Sequence, residues 1–387
     1  MRILHTSDWH IGKRLLGRER LLEQERVLDE MLGVCRAKSV ELVIVAGDVF
    51  DTFVPSAEAE SLFFKKIKQF AEDGRAVVVI SGNHDDGVRL CASAPICDEY
   101  GVYFIGNDRR ALPTQKRGKV YPVSSGKGYA VFENEAGEKV FLSALPYPNE
   151  ARFKEEKSEL PFAEQMRRWV EEGANENVEK LPSLLVAHIF AAGGVTSESE
   201  REISVGGARA VSVDELPPFD YIALGHLHKR QKMGKNHAYY SGSPLQYSFD
   251  EANTEKSLQV FDLTENGVRN LEIIPLQSGR KLVRLQAVGL AAATELLERN
   301  AEFLVELTLH LTEPLTRAES RALAEHENLV SLVAQVQTQA AAYGESKKGY
   351  SDEKLFEEYY LRQFGAPPSD DLKTAFLEIL TEVGGEQ

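Results

Sequence analysis

The sequence predicts an α/β protein followed by a small α+β unit and a C-terminal pair of helices. Three observations carry that expectation. From residue 1 to about 277, short runs rich in Val, Ile and Leu end abruptly in polar residues and alternate with stretches of helical periodicity. Beyond about residue 280 the runs become alternating strands separated by short helical segments. After residue 350, two stretches carry apolar and aromatic residues at helical spacing. At 387 residues the chain exceeds one ordinary core. We therefore expect domains at 1–277 and 278–340, a linker at 341–350 and a helix–loop–helix at 351–387.

In chain order, "MRIL" has room for one short strand before "TSDWHIG" at 6–12. "LLEQERVLDEMLGVCRAK" has helical periodicity, and "ELVIVAGDVFD" is a buried strand that breaks at Gly47 and Asp48. "AVVVISGNHDD", "SLLVAHIF" and "YIALGHLHK" repeat that plan. Residues 150–180 read as charged and helical, and "AAGGVTSESE" at 191–200 as a mobile loop. Further on, "KLVRLQA", "EFLVELTL" and "NLVSLVAQVQT" read as strands, and "AAATELLER" and "RAESRALAEHE" as helices. "AAAYGESKKGY" loosens into the linker. The first tail helix opens at Ser351, with Asp352 and Glu353 in its first turn and Gly365 past its end. The second opens at Ser369 after Pro367 and Pro368.

Composition narrows the setting. The first residues lack the progression of a signal peptide, and no apolar run approaches the roughly 18 residues of a membrane span. Cys35, Cys91 and Cys97 are scattered without metal-type spacing, which suits reduced core thiols. Both features lead us to expect a soluble cytoplasmic protein. The net charge of -15 opposes a purely electrostatic hold on nucleic acid, because affinity for phosphates comes largely from Lys and Arg. Basic stretches at 13–20, 115–119 and 228–235 are the local exceptions, with solvated surface charge as their alternative reading.

The residues directly after the apolar runs carry the chemistry. They are Asp8 and His10, then Asp48, then Asn83, His84 and Asp85, then His188, then His226 and His228. Five of the nine histidines fall at these positions. Open α/β sheets place their sites at the carboxyl ends of strands, so five strand ends can converge on one crevice. Any one of these residues alone is unremarkable as a turn or core residue. Together, carboxylate, imidazole and amide oxygen suit Mn, Fe, Zn or Co better than the all-oxygen shells of Mg or Ca. Two such cations sharing one carboxylate could clamp an in-line displacement at phosphorus and activate water. The set points to phosphoester hydrolysis.

"DWH", "GDVFD", "GNHD", "AHIF" and "GHLH", in this order, resemble the five motifs of the calcineurin-like binuclear metallophosphoesterases. With "SESEREISVGG", "YIALGHLHKRQ" and "YSGSPLQYSFDE", the chain resembles the branch of nuclease subunits that serve double-strand-break repair. That resemblance implies two central mixed β-sheets flanked by helices, with residues 278–340 as a capping domain that helps select DNA. It implies one metal held by Asp8, His10 and His228, the other by Asn83, His188 and His226, with Asp48 bridging. Two divalent ions, Mn in particular, are the implied cofactor. His84 would be the catalytic histidine, with Asp85 holding its ring. Asp51 is either an outer partner of the site or a turn-capping residue.

The same resemblance implies exonuclease action on double-strand ends and endonuclease action on hairpins and single strands. It also implies binding through the tail helices to a coiled-coil ABC-type ATPase. Leu355, Phe356, Tyr359, Tyr360 and Phe364 share helical spacing, as do Leu372, Phe376, Leu377, Leu380 and Val383, which suits helix-in-groove recognition. The stretches 57–70 and 87–100 lie where the family forms a homodimer. Two other classes stay open at this point: a phosphatase or cyclic-nucleotide phosphodiesterase, and a DNA-end scaffold with structural metals.

Overall fold

The computed structural model describes residues 1–148, 160–200, 210–336, 351–364, 367–369 and 372–377. It separates into two units, Met1–Gln335 and Val336–Gln387.

Four parallel strands begin the first unit: β1 (Arg2–Thr6), β2 (Leu42–Ala46), β3 (Ala76–Ile80) and β4 (Val102–Ile105). A second sheet holds β5 (Val120–Gly126), β6 (Tyr129–Asn134), β7 (Lys139–Leu145), β8 (Ser183–His188), β9 (Tyr221–Gly225), β10 (Gln231–Met233) and β11 (Ala238–Tyr240). Its order is β10-β11-β9-β8-β7-β6-β5, with β7, β8, β9 and β11 parallel. The chain then returns to the first sheet, where β12 (Ser257–Thr264) runs antiparallel to β1 and β13 (Gly267–Pro275) antiparallel to β12. Both sheets are therefore mixed.

The apolar runs are continuous because both faces of each strand are buried. Along β2 and β3, Leu42, Ile44, Val78 and Ile80 face Leu142, Leu184, Val186 and Ala223 of the other sheet. The alternate residues Val43, Val45, Val77 and Val79 pack under α1 (Leu21–Ala37) and α2 (Ala57–Phe70) through Val27, Met31, Phe63 and Ile67. The outer face of the second sheet is covered by α5 (Phe162–Ala174) through Met166 and Val170. Helices, two sheets and a helix thus form four layers. The stretch 87–100 is interrupted, giving α3 (Gly87–Cys91), α4 (Ala94–Cys97) and a short 3-10 turn. Pro95 sits at the opening of α4, where its missing N–H costs nothing but the preceding helix cannot run on.

A three-stranded sheet follows, β14 (Leu282–Val288), β15 (Leu304–Leu311) and β16 (Leu329–Val336), with β14 parallel to β15. Ala293 and Leu297 of α6 (Leu290–Arg299) and Leu323 of α7 (Arg317–Ala324) close its core. A capping box between Thr316 and Glu319 starts α7. Leu282 and Leu304 pack on Leu15 and Phe249 of the main body. In the second unit, α8 (Asp352–Phe364) starts at Ser351, and residues 372–377 are helical behind the Ser369 cap. The Phe356 and Phe376 rings stack with centroids 4.0 Å apart. The expected linker at 341–350, Gly365, Leu380 and Val383 lie outside the described residues. Among the described residues, no helix is long and apolar enough to cross a membrane.

The two sheets come closest at their carboxyl ends. There the His188 ring Nδ1 donates to the Ala46 carbonyl across the interface, at 2.8 Å. A Cβ on Gly225 would fall inside the Ala46 carbonyl, so only glycine permits this approach. We predict that Gly225→Ala costs about 1–3 kcal/mol in denaturant unfolding, as overpacking typically does. It should also lower uptake of divalent metal by the folded protein, and native stability together with native metal uptake would refute the close-approach argument.

Candidate metal centre

Each expected donor sits on the turn that ends a strand. Asp8 and His10 follow β1, Asp48 follows β2, and Asn83, His84 and Asp85 follow β3. His188 ends β8, while His226 and His228 follow β9. The turns are tight enough to place Asp8, His10, Asp48 and His226 at φ values of 54°, 43°, 50° and 113°. L-residues enter that region at a cost, and such strain concentrates where a surrounding structure fixes a site. Gly82 meets the same crowding, since an added Cβ would collide with the Asp48 carboxylate.

The structure brings all nine residues into one cluster, eight of them buried and Asn83 half-buried. The Nε2 atoms of His10 and His228 face each other at 3.0 Å. Asn83 Oδ1 lies 2.9 Å from His188 Nε2 and 2.8 Å from His226 Nδ1. Asp48 Oδ2 stands between these pairs, 3.6 Å from His10 Nε2 and 3.5 Å from His188 Nε2. Donors of Asp8, His10 and His228 lie within 4.8 Å of one another, as do those of Asp48, His188 and His226. Ligands about 2.0–2.2 Å from one cation stand roughly 3 Å apart, so these spacings fit two metal positions sharing Asp48. The His188 Nδ1 proton is held by the Ala46 carbonyl, which turns Nε2 inward.

Supporting groups come from distant parts of the chain. Asp8 accepts from the His226 N–H at 2.9 Å and from Ser7 Oγ at 2.5 Å. The Asp48 carboxylate accepts the His84 N–H at 2.8 Å. The expectation that Asp85 holds the His84 ring needs correcting. Asp85 accepts from the backbone N–H groups of Val49, Phe50 and Gly82, so it ties two strand-end turns together. The His84 Nδ1 instead donates to the Asp51 carbonyl at 2.7 Å. The Asp51 carboxylate lies 3.5 Å from His10 Nδ1 and 2.8 Å from Lys13 Nζ, which makes it an outer partner of the site.

Electrostatics in this dry pocket are divided. Burial pushes the Asp8 carboxyl up to about 8, with His188 opposing and the Asp48 charge reinforcing the shift. Asp48 is equally buried, yet the charge and hydrogen bond of His188, with His10 and His84, hold it well below the usual range. His188 rises to about 9 despite burial because Asp48 favours its cation. Burial lowers His10 to about 4 and His226 to about 3, leaving both neutral and able to ligate.

Sequence patterning missed Ser7, Ser199, Glu200, Glu251 and Lys256, whose roles depend on contacts far along the chain. It also credited the 13–20 stretch with free positive charge. Arg20 is buried against Glu23 and the Gln246 carbonyl, Lys13 is tied to Asp51, and Arg14 pairs with Glu19. In 228–235, Arg230, Lys232 and Lys235 are exposed. Cys35, Cys91 and Cys97 are free thiols, and burial pushes Cys35 up to about 12.

A binuclear centre of mixed carboxylate and imidazole donors, at the carboxyl ends of facing mixed sheets, defines a phosphoester-cleaving class. The chain belongs to the calcineurin-like phosphoesterase family, whose sequence profile matches residues 1–230. It is 35% identical to the SbcD subunit of the SbcCD nuclease of Bacillus subtilis, over 100% of this chain and 99% of that protein. It is 29% identical to the corresponding SbcCD nuclease subunit of Staphylococcus epidermidis, covering 82% of each. With that of Rhodobacter capsulatus it shares 32%, over 77% of this chain and 74% of the other.

The charge pattern predicts a proton-linked uptake of metal. At neutral pH both Asp8 and His188 hold protons that a cation must displace, so apparent affinity should rise steeply from about pH 6 to about pH 8. Both groups bind protons more tightly folded than unfolded, so stability of the metal-free protein should fall as pH rises from about 7 to about 9, above the range where the lowered imidazoles contribute the opposite sign. Calorimetry in buffers of different ionisation heat checks this, and uptake without proton release would contradict it.

Proposed function

We propose that the protein is a metal-dependent DNA nuclease, the SbcD component of an SbcCD-type complex that hydrolyses phosphodiester bonds. The observation that carries this reading is the convergence of Asp8, His10, Asp48, His84, His188, His226 and His228 in overlapping metal-sized clusters, in a chain similar end to end to an SbcCD nuclease subunit. Asp8, His10 and His228 would hold one divalent ion, and Asn83, His188 and His226 the other, with Asp48 shared. When bound, the ions supply Lewis acidity at the phosphoryl oxygen and a water of lowered pKa. Mn is the ion that the family resemblance favours, while the donor set suits Mn, Fe, Zn or Co alike.

The chain's own residues then act around the scissile phosphate. His84 is the catalytic group. Its Nδ1 proton is held by the Asp51 carbonyl, and in the doubly protonated ring Nε2–H would meet the phosphate and give its proton to the departing oxygen, leaving the imidazole neutral. Asp85 is a positioning residue that fixes the turn bearing Asn83 and His84 to the turn bearing Asp48. The exposed cations Arg230, Lys232 and Lys235 follow His228 directly and suit DNA phosphates.

The finer reading has exonuclease action on double-strand ends and endonuclease action on hairpins and single strands, in DNA repair and recombination in the cytoplasm. Residues 278–340 serve as the capping domain. The tail helices bind the SbcC ATPase, supported by the exposure of Leu355, Tyr359, Leu361 and Leu372. Exposed Phe64, Val88, Ile96 and Tyr100 support a homodimer through the region of α2 to α4, within a heterotetramer.

Cleavage of an end-labelled hairpin with Mn, with and without SbcC, tests the activity. His84→Leu at matched metal content should lose at least about 100-fold in rate. Equal cutting by mutant and native protein would remove His84 from the chemistry, and binding without any cutting would favour a scaffold. Deleting 351–387 should abolish co-elution with SbcC while metal content stays native, and retained co-elution would displace the tail from that role.

A further inference from the structure

His228 is anchored at every polar atom that does not face the cluster. Its ring Nδ1 lies 2.5 Å from Ser199 Oγ, and that hydroxyl donates onward to Glu251 Oε1 at 2.6 Å. Its backbone N–H donates to Glu200 Oε1 at 2.6 Å, and its carbonyl accepts from Lys256 Nζ at 2.8 Å. Lys256 also pairs with the other oxygen of Glu251 and donates to Ser243 at 2.9 Å. Both Glu251 and Lys256 are shut away from solvent. A buried ion pair with this many bonds holds its geometry tightly.

We propose that Ser199 and Glu251 form a relay that fixes the tautomer and aim of His228, and so set metal affinity at the position formed with Asp8 and His10. The proposal rests on the ligand reading given above. An ionised Glu251 carboxylate can only accept, so the Ser199 hydroxyl proton is assigned to it rather than to Ser197 Oγ at 3.0 Å, and the Ser199 oxygen then accepts a proton carried on His228 Nδ1. Nε2 then presents a lone pair toward His10 Nε2, 3.0 Å away. Metal-bound imidazoles commonly donate their second N–H to a carboxylate. Here the carboxylate stands 3.7 Å from Nδ1 and acts through the serine between them.

The other metal position has no such device. His188 leans on the uncharged Ala46 carbonyl, and His226 Nε2 has no hydrogen-bond partner among the described residues. Loss of the relay should therefore be felt at one position only. Ser199 and Glu200 belong to the loop at 191–200, so this loop holds a metal position without supplying a ligand.

The test titrates Mn2+ into the full chain by calorimetry, comparing native protein with Ser199→Ala and Ser199→Thr, alongside nitrogen-15 NMR of the imidazoles in metal-free protein. Glu251→Gln would strip Lys256 of its counter-charge inside the fold, so Ser199→Ala carries the test. The expected result is that Ser199→Ala weakens one of the two Mn equivalents by about 10–100-fold. The other equivalent should keep its affinity, His228 should lose its single tautomer, and Ser199→Thr should restore both properties. Native affinities at both equivalents in Ser199→Ala, with an unchanged tautomer, would overturn the relay while leaving the ligand reading intact. Failure of the native protein to take up Mn would overturn both.

Discussion

Asp8 and Asp48 are both buried at the seam between two sheets, where no water screens one from the other. The resulting conflict governs the rest of the site. Without a cation the protein divides the charge, protonating Asp8 and pairing an ionised Asp48 with a cationic His188. That compromise is a poor one, because the neighbouring imidazoles of His10 and His226 stay neutral. Divalent cations held as proposed would resolve it by satisfying both carboxylates at once. The Ser7, Asp51, Asp85 and Glu251 contacts can then be understood as a frame that keeps the donors in place while the charge is unbalanced.

Backbone geometry tightens the same constraint. Four donors occupy positive φ, and the turns that carry them are tied to one another by Asp85, by the Asp8 bond to the His226 N–H and by the Asp48 bond to the His84 N–H. These backbone ties hold the donor-bearing turns to one another directly. A site held in this way favours ions that accept the spacing given, and carries that selectivity in the chain itself.

Much of this was legible in the sequence. Strand ends and donor identities follow from apolar runs that stop at Asp, Asn and His, while the two sheets flanked by helices were implied by the family resemblance. The caps at Ser351 and Ser369 are local and equally readable, whereas 87–100 reads as one amphipathic stretch although Pro95 opens a new helix within it. What was hidden depends on partners far apart. Lys13 and Arg20 look like a basic patch until Asp51 and Gln246 are placed beside them. Asp85 looks like a partner for the adjacent His84 until the turns after β2 and β3 are docked. Ser199 and Glu251 lie in stretches that mark the family branch, but no spacing rule links residues 52 positions apart.

The division of the donors between two sheets also bears on how the protein is made. Asp8, His10, Asp48 and Asn83 leave the ribosome early, whereas His188, His226 and His228 arrive after most of the second sheet. Even β1, the first strand, waits for β12 to cover its open edge. Contacts separated by more than 200 residues form late in folding, as the 218-residue span between His10 and His228 requires. A growing or truncated chain thus carries only half of the donor cluster, which is complete only once the whole phosphoesterase domain has been made.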